Sequence, residues 1–261
     1  MISIDLNNKV AIVTGVSSGI GKGIAKVMAQ AGCNIAGCAR AESTSQGIRD
    51  LEKDIRDMGK SLYYKEVDVT LEDALGSFVE GVIGEYGKID VLISNAGVNI
   101  FNSAADCSVE DWEYNHKLNL KAHWSMSRFC RPYLAETNGS IVIMTSNHAY
   151  QTLPGCFPYN VTKTALTGLV RSLAIEWGPQ VRINGIAPGF IETEGGKAWF
   201  NSFENPEQEK EKTINIHPAG RLGTVEEVGV LCAYLASNYA RFITGATYLI
   251  DGGRSAVMQD I

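Results

Sequence analysis

The sequence predicts an α/β fold, a parallel sheet covered by helices on both faces. Short apolar runs rich in β-branched residues alternate with amphipathic stretches from one end of the chain to the other. Strands buried on both faces read as continuous apolar runs in this way. The first of these junctions, Lys9 to Gly21 (KVAIVTGVSSGIG), joins a strand to a helix through a glycine-rich turn. The chain has 261 residues, 45% of them hydrophobic, which suits a sizeable core. No repeat or linker interrupts it, so one domain over residues 1–261 is expected.

Lys9 to Thr14 is the first buried strand. Ile24, Ala25, Val27, Met28 and Ala31 repeat at helical spacing, and Gly32 can end that helix. Asn34 to Cys38 is the second strand, which completes a βαβ unit. Ser45 to Met58 reads as a helix ended by Gly59, and Ser61 to Val67 as the third strand. Leu71 to Tyr86 is a helix stopped by Gly87, and Ile89 to Ser94 is the fourth strand. Ser108 to Leu134 reads as one long helix, entered through a Ser-x-x-Asp variant of the capping box at Ser108 and Asp111. Gly139 breaks the chain before a fifth strand, Ile141 to Thr145. A loop then leads to a helix from about Tyr159 to Trp177, closed by Gly178–Pro179. Val181 to Ile186 is the sixth strand. From Ile191 to Pro218 the pattern loosens, and Trp199, Phe200 and Phe203 precede a charged run, Glu207 to Lys212. A segment of this length, about residues 190–218, is expected to be a lid or binding insert. Thr224 to Leu235 is a helix, and Thr247 to Ile250 is the last strand, followed by Asp251–Gly252–Gly253.

Net charge is −6, which opposes nucleic-acid or anionic-membrane partners. No apolar run reaches the roughly 18 residues of a membrane span, and the N-terminal stretch lacks the features of a signal peptide. A cytoplasmic protein is expected. The six cysteines form no C-x-x-C and have no zinc-like spacing to histidine. They read as reduced core or interface residues, apart from Cys156, which lies in a loop with no evident local base. No metal site is expected.

The turn has the spacing T-G-x-x-x-G-x-G over Thr14 to Gly21. Its glycines let the backbone approach a pyrophosphate, and the helix behind them offers unpaired N–H groups. With a strand before it and a helix after it, the turn points to dinucleotide binding. Nineteen residues beyond Gly21 stands Arg40, where an acid would favour NAD. A guanidinium there can pair with a 2′-phosphate, which favours NADP(H). A solvated loop arginine is the plainer reading, and Glu42 keeps NAD(H) open. Asp68 can accept a hydrogen bond from an adenine amino group or serve near a helix N-cap. Asn95, Ala96 and Gly97 leave room for a ligand at the carboxyl end of the fourth strand.

Tyr159 and Lys163 are four residues apart on a helix and share a face. A free tyrosine has a pKa of about 10, and a neighbouring cation favours its phenolate. Such a pair can act as a general acid/base, although Y-x-x-x-K is also common on helix surfaces. Ser146 stands at the end of the strand thirteen residues before Tyr159. Asn119, inside the long helix, is either a solvated polar residue or a functional one.

Taken together, Gly15-x-x-x-Gly19-x-Gly21, Asn95–Ala96–Gly97, Asn119, Ser146, Tyr159, Lys163 and Pro188–Gly189 resemble the short-chain dehydrogenase/reductase family over nearly the whole chain. The resemblance implies a Rossmann fold, a doubly wound seven-stranded parallel sheet. It implies an NAD(P)-dependent enzyme that passes a hydride between nicotinamide and a secondary alcohol or ketone. Tyr159 would exchange the substrate proton, Lys163 would lower the tyrosine pKa and bind the nicotinamide ribose, and Ser146 would hydrogen-bond the reacting oxygen. Asn119 would hold a relay water. Gly15, Ser17, Ser18, Gly19, Ile20 and Gly21 would hold the pyrophosphate, Asp68 and Val69 the adenine, and Asn95, Ala96 and Gly97 the adenosine-side wall. Pro188, Gly189, Ile191 and Thr193 would contact the nicotinamide amide.

Two positions depart from the family pattern. Ser94 replaces a common asparagine. Ser18 stands where a basic residue often holds the 2′-phosphate, which leaves Arg40 as the only argument for NADP(H). Asn147, His148, Gln151 and the lid residue Trp199 are substrate candidates, and the first three point toward a sugar, polyol or hydroxy acid. His148 can equally serve only to pack or brace its loop. The segment His217 to Gly223 also resembles 3-oxoacyl-[acyl-carrier-protein] reductases, but Thr137 and Ile175 stand where those enzymes carry docking arginines. A non-catalytic dinucleotide-binding regulator would be expected to lose Ser146, Tyr159 or Lys163, and all three are present. The resemblance further implies a homotetramer or dimer, with the Trp112–Leu134 and Lys163–Trp177 helices pairing across a two-fold axis. The tail Ser255–Ile261 would reach a neighbouring subunit.

Overall fold

The computed structural model describes residues 3–258, so the last three residues of the expected tail contact lie outside it. The elements run β1 (Val10–Thr14), α1 (Gly19–Gln30), β2 (Asn34–Ala39), α2 (Gln46–Asp57), β3 (Leu62–Glu66), α3 (Glu72–Tyr86), β4 (Val91–Ser94), β5 (Phe101–Asn102) and α4 (Val109–His116). They continue with α5 (Ala122–Glu136), β6 (Ser140–Met144), β7 (Phe157–Pro158), α6 (Tyr159–Trp177), β8 (Arg182–Pro188), α7 (Glu194–Phe200), α8 (Pro206–Asn215), α9 (Val225–Ala236) and β9 (Thr247–Ile250). Seven strands form one sheet in the order β3-β2-β1-β4-β6-β8-β9, and every pairing in it is parallel. This is the expected doubly wound Rossmann architecture.

The two faces divide β1 by its pleat. Ala11 and Val13 join one apolar cluster with Ile24 and Met28 of α1, Leu51 of α2 and Cys232 of α9. Val10 and Ile12 join the other with Phe78 of α3, Met126 of α5 and Val170 of α6. Both faces of a strand are therefore apolar, as its continuous run required. The order reverses at β1, between β2 and β4, and a crevice opens at such a reversal outside the carboxyl ends of the strands.

Three features depart from the sequence reading. The long helix is not uniform, because Lys117–Lys121 forms a π turn between α4 and α5. Only half of the expected capping box exists. Ser108 accepts from the Asp111 amide at 3.0 Å, while the Asp111 carboxylate accepts from Asn102 at 3.0 Å instead. The third departure is a two-residue antiparallel ribbon, β5 with β7, which sets Phe101 opposite Pro158. The segment 190–218 folds into α7 and α8.

Candidate active site

The glycine turn is built by close approach. Gly15 has φ +77°, a left-handed conformation that glycine adopts at no steric cost. A methyl group on Gly21 would stand 2.2 Å from the Gly15 carbonyl oxygen, so no side chain fits there. Ser18 precedes α1 without a side-chain cap bond, and the first turn of α1 carries no acid. The positive end of that helix is left for an anion. Across the crevice, the Thr14 hydroxyl accepts from the amides of Asn95 and Ala96, both at 2.9 Å. The Asn95 side chain donates to the Thr14 carbonyl at 2.9 Å.

These walls bound a cleft of about 750 Å³, which reaches from Arg40, Asp68 and Val69 to Tyr159, Lys163, Pro188 and Thr193. That volume suits a cofactor-sized ligand. The fit to a dinucleotide rests on the glycine cradle, the uncapped helix start and the length of the cleft. At the far end Arg40 is exposed and donates to the Tyr114 hydroxyl at 3.3 Å. Asp68 accepts from the Thr70 amide at 2.9 Å, bracing the turn into α3 while still lining the cleft.

Tyr159 opens α6, and Lys163 follows one turn later. Both are buried, at 9% and 3% exposure. Lys163 Nζ donates to the Met144 carbonyl at 3.0 Å and lies 5.5 Å from the centre of the Tyr159 ring. Burial pulls the lysine pKa down to about 8. Burial also pushes the Tyr159 phenol up to about 12, against a hydrogen bond from Ser146 that acts the other way. The expected lowering of the tyrosine by Lys163 is therefore absent in the chain by itself. The ammonium is turned to the Met144 carbonyl, and desolvation is the largest effect on the phenol. Ser146 also accepts from the His148 amide at 3.2 Å.

Asn119 sits in the π turn, fully buried. Its amide nitrogen donates to the Val98 carbonyl at 2.9 Å and to Asn115 at 2.7 Å, and its oxygen accepts from the Val98 amide at 3.1 Å. Both side-chain donors are thus occupied, so a relay water would have to meet the remaining oxygen lone pair or the main chain. Asn115 in turn donates to the Pro158 carbonyl at 3.1 Å and the Thr162 hydroxyl at 3.3 Å. This chain of amides ties the loop after β4 to the residue before Tyr159. Sequence reasoning missed Asn115, although two asparagines one helical turn apart are a readable signal. Ser94 is likewise committed, with its hydroxyl 2.8 Å from Nδ1 of buried His123.

The substrate candidates are less convergent. Asn147, His148, Gln151 and Trp199 do not line the main cleft, and neither do Ser146, Gly189 and Ile191. Ile191 is turned into the core and bridges to Gly223. Trp199 packs on Phe190, Phe200 and Phe203 at ring separations of 5.5, 5.1 and 4.8 Å. Nδ1 of His148 lies 3.0 Å from the Thr152 hydroxyl, which braces the loop, while its ring lies 6.0 Å from that of Tyr159. Phe101 stands edge-on to Tyr159 at 5.4 Å, and sequence reasoning missed it. The β5–β7 ribbon puts it there. Val98, Asn99, Leu118, Thr145 and Gly195 also line the cleft without having been predicted.

Residues 15–255 match a family model described as enoyl-(acyl carrier protein) reductase. The chain is 35% identical over 251 residues to the 3-oxoacyl-[acyl-carrier-protein] reductase of Chlamydia muridarum, covering 95% of this chain and 98% of that one. It is 34% identical over 253 residues to the 2-dehydro-3-deoxy-D-gluconate 5-dehydrogenase of Pseudoalteromonas atlantica, covering 95% and 96%. Its fold superposes with TM-score 0.90 on a putative short-chain alcohol dehydrogenase from Sinorhizobium meliloti, at 30% identity over 98% of this chain and 100% of the other.

Proposed function

The chain belongs to the short-chain dehydrogenase/reductase family and is an NAD(P)-dependent oxidoreductase of alcohols and ketones; within that class we propose that it acts on a sugar, polyol or hydroxy acid, with NADP(H) favoured over NAD(H). The observation that carries the reading is that Tyr159 and Lys163, buried one turn apart, line the same cleft as the glycine turn. The sugar-acid relative at 34% identity supports the substrate class, and Arg40 at the adenosine end supports the cofactor.

In this reading Gly15, Ser17, Ser18, Gly19, Ile20 and Gly21 hold the pyrophosphate with backbone amides. Asp68, Val69, Asn95, Ala96 and Gly97 flank the adenosine, and Pro188 and Thr193 stand at the nicotinamide end. A bound dinucleotide would supply the hydride acceptor or donor and, when oxidised, positive charge. Ser146 donates to the reacting oxygen. Tyr159 takes the hydroxyl proton on oxidation and returns it on reduction. Lys163, with a pKa brought down to about 8, would hold the nicotinamide ribose hydroxyls and, once the dinucleotide is bound, would favour the phenolate. Asn119 fixes the wall behind them and meets the relay water. α7 and α8 form the lid.

The same reading covers a cytoplasmic setting, one domain and a homotetramer. Trp112 and Trp124 are each 38% exposed and Ile175 is 82% exposed, so the paired helices offer apolar surface to a second copy. The carrier-protein reductase reading is second, supported by the Chlamydia muridarum relative. Against it stands Ile175, exposed where a docking arginine would be needed.

A screen of oxidation and reduction over sugars, polyols, hydroxy acids, ketones and a 3-oxoacyl thioester, with each cofactor, tests the proposal. Turnover confined to the thioester would replace the first reading by the second.

A further inference from the structure

Among the described residues of α4 only Asn115 is buried, and its side chain is polar. It is sealed from solvent completely. A buried amide costs free energy unless its hydrogen bonds are made. Here both of its protons are used: Nδ2 donates to the Pro158 carbonyl at 3.1 Å and to the Thr162 hydroxyl at 3.3 Å. Its Oδ1 accepts from the Asn119 amide nitrogen at 2.7 Å. A leucine could fill the same space but could make none of these bonds, so what Asn115 adds lies in the groups it joins.

On one side it joins the start of α6. The helix begins after Pro158, which makes no side-chain cap bond. Asn115 holds the Pro158 carbonyl, and so the peptide group that enters Tyr159. The Thr162 hydroxyl, which accepts from Asn115, donates to the Tyr159 carbonyl at 2.9 Å. That holds the peptide group that leaves Tyr159. Both peptide groups flanking the Tyr159 Cα are therefore tied to Asn115, one directly and one through Thr162. The direction in which the phenol projects is set by those two groups.

On the other side it joins the opposite wall of the cleft. Asn119 pairs with both main-chain groups of Val98, at 3.1 and 2.9 Å. A methyl group on Gly97 would stand 2.6 Å from Asn119 Oδ1 and 3.6 Å from Lys163 Nζ, so the amide oxygen and the ammonium adjoin the same point of the chain. Gly97 and Val98 line the cleft from one side, and Tyr159 and Lys163 from the other. The bonds Val98–Asn119–Asn115–Pro158 thus run behind the cleft from wall to wall. A buried polar network whose members are all partnered is rigid, and neither asparagine has an orphaned side-chain atom.

We propose that Asn115 is a positioning residue for proton transfer: it fixes the Tyr159 phenol relative to Asn119 and the Gly97–Val98 wall. This rests on the acid/base role given to Tyr159 above and adds the device that aims it. Asn115 touches neither the cleft nor the reacting atoms, and it acts only through the two peptide groups of Tyr159 and through Asn119. Displacing a reacting group by about 1 Å costs on the order of 10²-fold in rate. The loss should therefore fall on turnover and leave binding alone.

The test uses the full chain, each cofactor and, as substrate probe, whichever of gluconate, glucitol, 3-hydroxybutyrate and acetoacetyl-coenzyme A the wild type turns over fastest. Asn115→Leu keeps the volume and removes donors and acceptor. It is expected to lower kcat by about 10²-fold, with KM and the affinity for reduced cofactor, read by fluorescence titration, changed by less than about threefold. The ratio of kcat in H2O to kcat in D2O is expected to rise, because the proton step is the one slowed. A folded Asn115→Leu with wild-type kcat, a loss confined to KM or cofactor affinity, or an unchanged isotope ratio overturns the proposal. If thermal denaturation shows Asn115→Leu unfolded, Thr162→Val decides by the same measurements. It breaks the hydroxyl's bonds to Asn115 and to the Tyr159 carbonyl. A fall in kcat of about threefold or more at unchanged KM supports the proposal, and an unchanged kcat overturns it. Tyr159→Phe is the reference: if it turns over as the wild type does, the role of Tyr159 itself fails. If it is inactive while folded Asn115→Leu is not, only the present proposal fails.

Discussion

Replacing Lys163 by methionine is predicted to abolish turnover while stabilising the chain at neutral pH. Lys163 is 3% exposed, and burial brings its pKa from 10.5 down to about 8. The proton is therefore held more weakly in the folded chain than in the unfolded one. At roughly 1.4 kcal/mol per pH unit, keeping the folded lysine charged costs about 3 kcal/mol. Below pH 8 both states are protonated and the full cost is present. Between pH 8 and 10.5 the unfolded state binds more protons, so stability rises with pH across that window. Above 10.5 the cost is gone. Methionine has similar length and no charge, so it removes this dependence. The absolute difference at pH 7 also contains the lost Met144 hydrogen bond, but the change with pH does not. Burial holds the folded Tyr159 phenol up at about 12, above the pH range of the measurement, and the unfolded tyrosine titrates alike in both proteins, so it cancels between them. Urea unfolding of wild type and variant at one protein concentration, from pH 7 to 9.5, should show the advantage of the variant shrinking by about 2 kcal/mol. A difference that stays constant within about 0.5 kcal/mol would refute the claim that Lys163 is buried at a cost.

Tyr159→Phe should reduce kcat by about 10²–10⁴ with dinucleotide affinity unchanged by fluorescence titration, and retained turnover would remove Tyr159 from the mechanism. Arg40→Asp should move preference from NADP(H) toward NAD(H). A wild type that already prefers NAD(H) by about tenfold would refute the reading of Arg40. Gly21→Ala forces a methyl group to within 2.2 Å of the Gly15 carbonyl. It should cost about 1–3 kcal/mol of stability and weaken dinucleotide binding by about tenfold or more, measured by denaturation and titration.

The fold was legible because its signals are local and repeated. Each apolar run had to be buried on two faces, and β1 divides its side chains between two clusters as that requires. The glycine turn was legible for the same reason, since its spacing is short and its geometry admits few residues. Asn119 was legible as an anomaly within a helix, but its partners were not. The Val98 main chain is twenty-one residues away, and Asn115 gains its meaning from Pro158 and Thr162, more than forty residues on. Nothing in the spacing of two asparagines says that the helix will widen into a π turn around them. Ser94 read as a mild substitution because its partner, His123, lies on another element.

The substrate side was less legible for a different reason. Asn147, His148 and Gln151 stand out in the sequence as polar residues close to Ser146, and polarity does not say where a group points. Ser146 takes up the Asn147 oxygen at 3.4 Å, and His148 braces Thr152. Phe101, fifty-eight residues before Tyr159, is instead laid against the phenol by a two-residue ribbon too short to have a sequence signature. Arg254 follows the last strand by four residues. The Asp251 carboxylate is already used by backbone amides, and Arg254 makes no ion pair among the described residues. Cofactor binding draws on backbone geometry, which short motifs encode. Substrate choice draws on which side-chain atoms remain unpaired after folding, and that is decided only when all the segments have met.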